Sequence, residues 1–278
     1  MSGSIAAELL VLRKRVAPWV LLGIWLALAL TFAYLLPYLT YKGRADFGNG
    51  PALAPLLPQG LVGSLIGGFP FYGGTLALML GVLSLGSDFG WDTFKTLFTQ
   101  GPSRLRVFRA KLIALGIALI PFVLLVYGLG ALSALLIAQV EHAPIAWPDA
   151  GLLARALLAS WFILAVWAAF GVLLAVLTRG TALAIGLGIL WILVIEGLVG
   201  ALFNEFSLLR PLVQFFIRAN AYSLGQPLGA AAGSAASGGP GTFAGPFVSA
   251  EQALLVLACY FVALLLLAGL LLRRRDVA

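Results

Sequence analysis

Long apolar runs alternate with short polar stretches along this chain, and six of the runs reach the length of a membrane crossing. A hydrocarbon core of about 30 Å takes about 20 apolar residues in a helix. The runs at about 18–39, 61–85, 112–140, 152–177, 181–203 and 253–272 meet that length. They predict an all-α polytopic membrane helix bundle of six transmembrane helices, forming a single domain over 1–278. Before the first run, Ile5, Leu9, Leu12 and Val16 recur at helical spacing, with Glu8 and the Arg13-Lys14-Arg15 run set elsewhere. This predicts an N-terminal interfacial amphipathic helix over about 4–16, turning into the first span near Pro18. The first apolar run is longer than a signal-peptide core and lacks an A-x-A cleavage pattern, so a retained helix is expected.

The connections are informative too. Only Thr178-Arg179-Gly180 joins the fourth and fifth runs, a link so short that the two helices must be antiparallel neighbours. After the fifth run, Phe206, Leu209, Val213 and Phe216 fall at helical spacing and predict a short surface helix within 204–220. The Gly/Ala/Ser/Pro-rich stretch at about 221–246 cannot bury enough apolar surface to order itself and reads as a mobile outer loop. Small residues at four-residue spacing, Gly63 with Gly67 and Gly180 with Ala184 and Gly188, allow close helix approach.

Composition agrees with the pattern. Charged residues make up 10% of the chain, against about 25% in a soluble domain, and the mean hydropathy is +1.07. The net charge of +7 would point to nucleic acid in a soluble protein. Here the basic residues sort by membrane side instead. With the N-terminus inside, twelve of the 17 basic residues fall on inner segments: Arg13–Arg15, Lys95, Arg104, Arg106, Arg109, Lys111, Arg179 and Arg273–Arg275. The expected topology is therefore N-in, C-in. These clusters fit contact with anionic lipid heads, and no nucleic-acid partner is expected.

Little conventional chemistry is available. A single cysteine, Cys259, and a single histidine, His142, exclude an intrachain disulfide and a Cys/His metal cluster. The lysines follow Arg13, Tyr41, Phe94 and Ala110, never glycine, so no P-loop exists. No catalytic constellation, bound cofactor or metal site is expected. Glu196 is the one acidic residue well inside a run; it reads as a pathway or packing polar residue that must face helices or water. The stretch 86–111 stands out. Trp91, Phe94, Leu97 and Phe98 share one helical face, with Asp92, Lys95, Thr96 and Thr99 on the other. Gly101-Pro102 then stops the helix, and Ser103 is placed to cap the next. A short amphipathic helix of this kind suits either a partner's groove or the membrane surface.

At these residues the chain resembles the ABC-2 type permease family, membrane subunits of ATP-binding-cassette exporters. The family's loop runs approximately E-Y-R-x-G-T, an apolar helix, R-P-x-S-R, and a lysine opening the next span. Here the counterparts are Asp88-Phe89-Gly90-Trp91-Asp92-Thr93, then Gln100-Gly101-Pro102-Ser103-Arg104, then Lys111. Gly90 stands where the family usually has a basic residue, and Asp92 where it usually has glycine. The ending Arg273-Arg274-Arg275-Asp276-Val277 resembles the family's basic finish. The resemblance implies a multi-pass protein of the cell membrane, a prokaryotic inner membrane. It would be a permease subunit that pairs with a second one, identical or related. Two ATPase subunits, which would hold the ATP and Mg, would grip the coupling helix through Asp88, Trp91, Phe94, Lys95, Leu97, Phe98 and Arg104. The alternatives are an ATPase-independent secondary transporter or channel and, more remotely, a membrane-embedded lipid-modifying enzyme.

Overall fold

A computed structural model describes residues 2–44, 53–90, 104–197, 214–230 and 248–274. Every regular element among them is helical. α1 (Ser2–Lys14) and α2 (Val16–Leu30) meet at Arg15, whose backbone is extended (φ −75°, ψ 136°). α2 runs on through a π-helical turn, Thr31–Leu35, into α3 (Leu36–Arg44). α4 (Leu61–Ile66) leads through Gly67-Gly68 and a π-helical turn, Phe69–Gly73, into α5 (Gly74–Gly90). α6 (Arg104–Val140), α7 (Ala150–Thr178) and α8 (Ala182–Leu190) follow, the last continuing through a π-helical turn, Trp191–Glu196. α9 (Ile217–Gly225) and α10 (Ala250–Arg274) complete the described chain.

Among the described residues, five segments are helical, long and apolar enough to cross a membrane: Val16–Gly43, Phe69–Asp88, Leu105–Val140, Ala150–Thr178 and Ala250–Arg273. Ala182–Glu196 is apolar but shorter, and residues 198–203 of the fifth predicted run lie outside the described residues. The protein is thus an all-helical, multi-pass candidate with α5 and α7 at its centre. The windows of those two spans are 78% and 72% buried, against 22% for the spans of α2 and α10.

The central pair owes its intimacy to glycine. A Cβ on Gly81 would stand 2.1 Å from the Ala168 carbonyl oxygen, and one on Gly171 would stand 2.1 Å from that of Leu78. The backbones of α5 and α7 therefore touch at two levels, as small residues permit between membrane helices. Around this axis, Trp25 is fully buried, donates Nε1 to the Phe122 carbonyl at 3.0 Å and meets Phe69 edge-on at 5.1 Å. It locks α2 to α6 and to the π-helical turn of the second span.

Several sequence expectations change. The 61–85 run is two helices, because Gly67-Gly68 loosens the chain and Pro70 brings no amide hydrogen to the ladder. Of the glycines flagged by spacing, Gly67 faces open space, whereas Gly63 abuts the Gly229 carbonyl. The 112–140 run is the later part of a 37-residue helix, about 55 Å long. Tyr34, inside the first apolar run, is a core residue at 3% exposure. The surface helix expected within 204–220 is represented by Phe216, which is extended, and by α9 from Ile217 onward; residues 198–213 lie outside the described residues. α9 also occupies 221–225, where composition reads as loop. It is ordered by burial of Ile217, Ala221 and Tyr222 against the bundle rather than by its own propensity.

The helix ends sort cleanly. The Arg15–Asp88 and Lys111–Asp88 pairs bring the starts of α2 and α6 to the end of α5. A Cβ on Gly86 would meet Thr181 and the Gly180 carbonyl, which puts the α7–α8 turn and Arg179 at the same end. Gly269 packs against Phe108, so Arg273 is there too. Most described basic residues thus share one end of the bundle.

Candidate functional site

At that basic end, four charged side chains interlock where the 91–103 segment leaves and rejoins the bundle. Asp88 lies in the last turn of α5 and Lys111 two turns into α6. Lys111 Nζ is 2.6 Å from Asp88 Oδ2 and 2.7 Å from Glu8 Oε2. Asp88 Oδ1 in turn lies 3.6 Å from Arg15 Nη2. Side-chain exposure is 7% for both Asp88 and Lys111, 19% for Glu8 and 37% for Arg15. A buried ammonium or carboxylate is costly without an opposite charge, and here two carboxylates meet two cations.

Local structure explains each position. Arg15 sits at the α1–α2 break, which frees its side chain to reach sideways. Its Nη1 donates to Ser87 Oγ at 2.5 Å and to the Leu83 carbonyl at 3.3 Å. A cation beside the last turns of α5 also meets the negative end of that helix dipole. Glu8 lies on the packed side of α1, between Ile5 and Leu12, with Leu12 buried. The expected face therefore needs correction. Glu8 belongs to it and Val16, at 74% exposure, does not; Arg15 breaks the helix before Val16 and changes its direction. Leu10 and Val11 are exposed on the other side of α1, beside exposed Arg13 and Lys14.

Among the predicted site residues, Asp88 belongs to this cluster. Arg104 is the first residue of α6. Trp91, Phe94, Lys95, Leu97 and Phe98 lie outside the described residues. Sequence reasoning missed Glu8 and Arg15 as members. The available signal was Glu8 itself, a carboxylate three and four residues from apolar neighbours on a packed face.

Glu196 is far from this cluster and fully buried. Its Oε1 accepts from Trp191 Nε1 at 3.0 Å and from the Ile217 amide at 3.1 Å, and its Oε2 accepts from the Arg218 amide at 2.9 Å. Phe216 offers no side-chain cap, so Glu196 supplies from another element the acceptors that the first turn of α9 needs. A third cluster ties α3 to the end of α6: Glu141 Oε1 is 2.7 Å from Lys42 Nζ and accepts from Tyr38 Oη at 2.7 Å. The Lys42 ammonium, then the Tyr38 hydroxyl, hold the Glu141 carboxyl below its usual range. No group of three His, Cys, Asp or Glu residues able to hold a metal occurs among the described residues.

The profile of the family described as "Protein of unknown function (DUF2705)" matches residues 70–278, and the chain belongs to that family. No curated protein matches the sequence.

Proposed function

We propose that this member of the DUF2705 family is the permease subunit of an ABC exporter, with six spans and both termini in the cytoplasm. It would pair with a second permease, identical or related, and be driven by two separate ATPase subunits that bind ATP and Mg. The observation that carries the reading is the Asp88–Lys111 pair. It joins the two helix ends flanking the amphipathic 91–98 stretch, and Glu8 and Arg15 extend the joint to α1 and α2. A push on the 91–103 segment would reach α5 and α6 together, as a transmission element requires.

Further support comes from charge. The basic residues gather at the end of the bundle that also carries the 91–103 segment, and a lysine- and arginine-rich end is the cytoplasmic one. A partner ATPase would dock on that side. Glu196 has its carboxylate taken up by α9 and Trp191. That packing explains its presence without a proton pathway and favours the ATP-driven reading over a secondary transporter.

Two experiments test this reading. Lys95→Cys and Ala235→Cys, each in a Cys259→Ser background, should differ in intact cells: an impermeant thiol reagent labels position 235 and spares 95. The tagged full chain, solubilised gently from its native membrane, should carry a P-loop ATPase in near-equal amount. Transport by the purified chain with no ATPase bound would overturn the proposal.

A further inference from the structure

An apolar groove of about 390 Å³ opens between α6, α7 and α10. Leu112, Gly116 and Ile117 of α6 form one wall, and Phe261 and Leu265 of α10 the other. Trp161 and Ala165 of α7 lie between them. The groove exists because α7 presents small residues there: Ala165, Ala168 and Ala169 fill little of the space between two larger-faced helices. Its floor is fixed, since Trp161 donates Nε1 to the Gly116 carbonyl at 2.9 Å and Phe162 meets Phe261 at 6.0 Å.

The α6 wall continues toward the basic end as a stripe of a different kind. Ile120, Ile117 and Ile113 are exposed at helical spacing, and the next residues along the same face are Arg109 and Arg106, both exposed. Each turn advances about 5.4 Å, so Arg109 stands about one turn beyond Ile113. Arg273 of α10 is exposed at the same end, one turn past the Gly269–Phe108 contact. A mostly apolar slot on membrane-crossing helices, with Arg109 and Arg106 about one and two turns beyond Ile113 along one wall, matches the charge pattern of an anionic lipid.

We propose that this groove is a binding site for one anionic phospholipid, with an acyl chain along Gly116 and Trp161 and the phosphate held by Arg106 and Arg109, assisted by Arg273. Arginine grips phosphate through paired donors, and basic pockets between membrane helices favour anionic head groups. The groove admits the chain, and the arginines select the head. The inference stands on the three helices alone and does not depend on the exporter reading.

The test uses the full-length protein, delipidated in detergent and titrated with phosphatidylglycerol or phosphatidylcholine under native mass spectrometry. Phosphatidylglycerol should bind as a single retained adduct at least about tenfold more tightly than phosphatidylcholine, about 1.4 kcal/mol. R106A/R109A, two exposed sites, should erase that preference by weakening phosphatidylglycerol far more than phosphatidylcholine, whose choline cation already offsets its phosphate. Gly116→Leu should weaken both lipids, since a Cβ there already reaches Trp161 at 3.6 Å. A photoactivatable acyl chain on phosphatidylglycerol should label α6 near Ile117, a readout that needs no variant. Equal affinity for the two lipids, an unchanged preference in R106A/R109A, or labelling elsewhere would overturn the proposal. So would a disulfide between two copies through Ile117→Cys in a Cys259→Ser background, which would mean that a second chain fills the groove.

Discussion

Asp88 Oδ2 and Lys111 Nζ stand 2.6 Å apart, each on a side chain 7% exposed, at the two helix ends that bracket residues 91–103. Their pairing makes the end of α5 and the start of α6 one mechanical unit. Breaking a buried pair by removing one partner typically costs about 3–5 kcal/mol, because the other charge stays buried alone. Lys111→Met leaves Asp88 only its 3.6 Å contact with Arg15 and takes Lys111 away from Glu8, so it should destabilise the solubilised protein by up to about that amount in thermal unfolding. Adding Glu8→Leu and Asp88→Leu should restore much of the loss, since Arg15 can turn to solvent. If the single variant melts like the parent, the joint contributes nothing.

Gly81 and Gly171 should tolerate no side chain. An added Cβ would fall 2.1 Å from a carbonyl oxygen in either case, and backbone cannot yield as a flexible side chain can. Overpacking of this kind costs about 1–3 kcal/mol or more. Gly81→Ala and Gly171→Ala should each lower the melting temperature, while Gly23→Ala and Gly186→Ala, which meet nothing within 4 Å, should not.

How much of this was readable from sequence depends on which interaction carries the information. The apolar runs were legible because lipid imposes its requirement on each helix separately. The helices at 150–178 and 250–274 accordingly stand within two or three residues of their predicted ends. The Gly81–Ala168 and Gly171–Leu78 contacts were not legible, because they depend on which helices become neighbours. The spacing that drew notice, Gly63 and Gly67, put one glycine on Gly229 and the other in the open. α9 was misread for the same reason. Its end at 221–225 lies in a stretch whose composition reads as loop, and its order comes from Glu196 at its N-terminus and from burial along its length. At the candidate site, Asp88 was identified through its neighbours in sequence, whereas Glu8 and Arg15 needed the fold.

Glu196 should act as a positioning residue for α9. Glu196→Ala removes acceptors from the Ile217 and Arg218 amides and from Trp191 Nε1. Loss of a cap typically costs about 1 kcal/mol, with more from the half-buried Trp191 indole left unpaired. Hydrogen exchange should rise across 217–225 and stay unchanged in α7. Unchanged protection of 217–225 would remove this role.

Glu141 gives a pH dependence with a definite sign. Its carboxyl is held below the usual value of 4.5 by Lys42 and Tyr38. A depressed folded pKa means that the contribution to stability is complete above about 4.5 and is lost as pH falls through the lower folded value. Glu141→Gln should therefore melt below the parent at pH 6, and the difference should close as the pH is taken below 4.5. A difference that stays constant into acid would show that charge is not its source.

On the proposed reading an ATPase drives this chain through the 91–103 segment, and recovery of that ATPase with Phe94→Ala/Phe98→Ala tests it. Anchors buried in a partner's groove cost about 2 kcal/mol or more each when truncated. The double variant, checked in the same sample for membrane insertion and unchanged melting, should lose stable ATPase binding. Full ATPase recovery together with unchanged transport would contradict the claim.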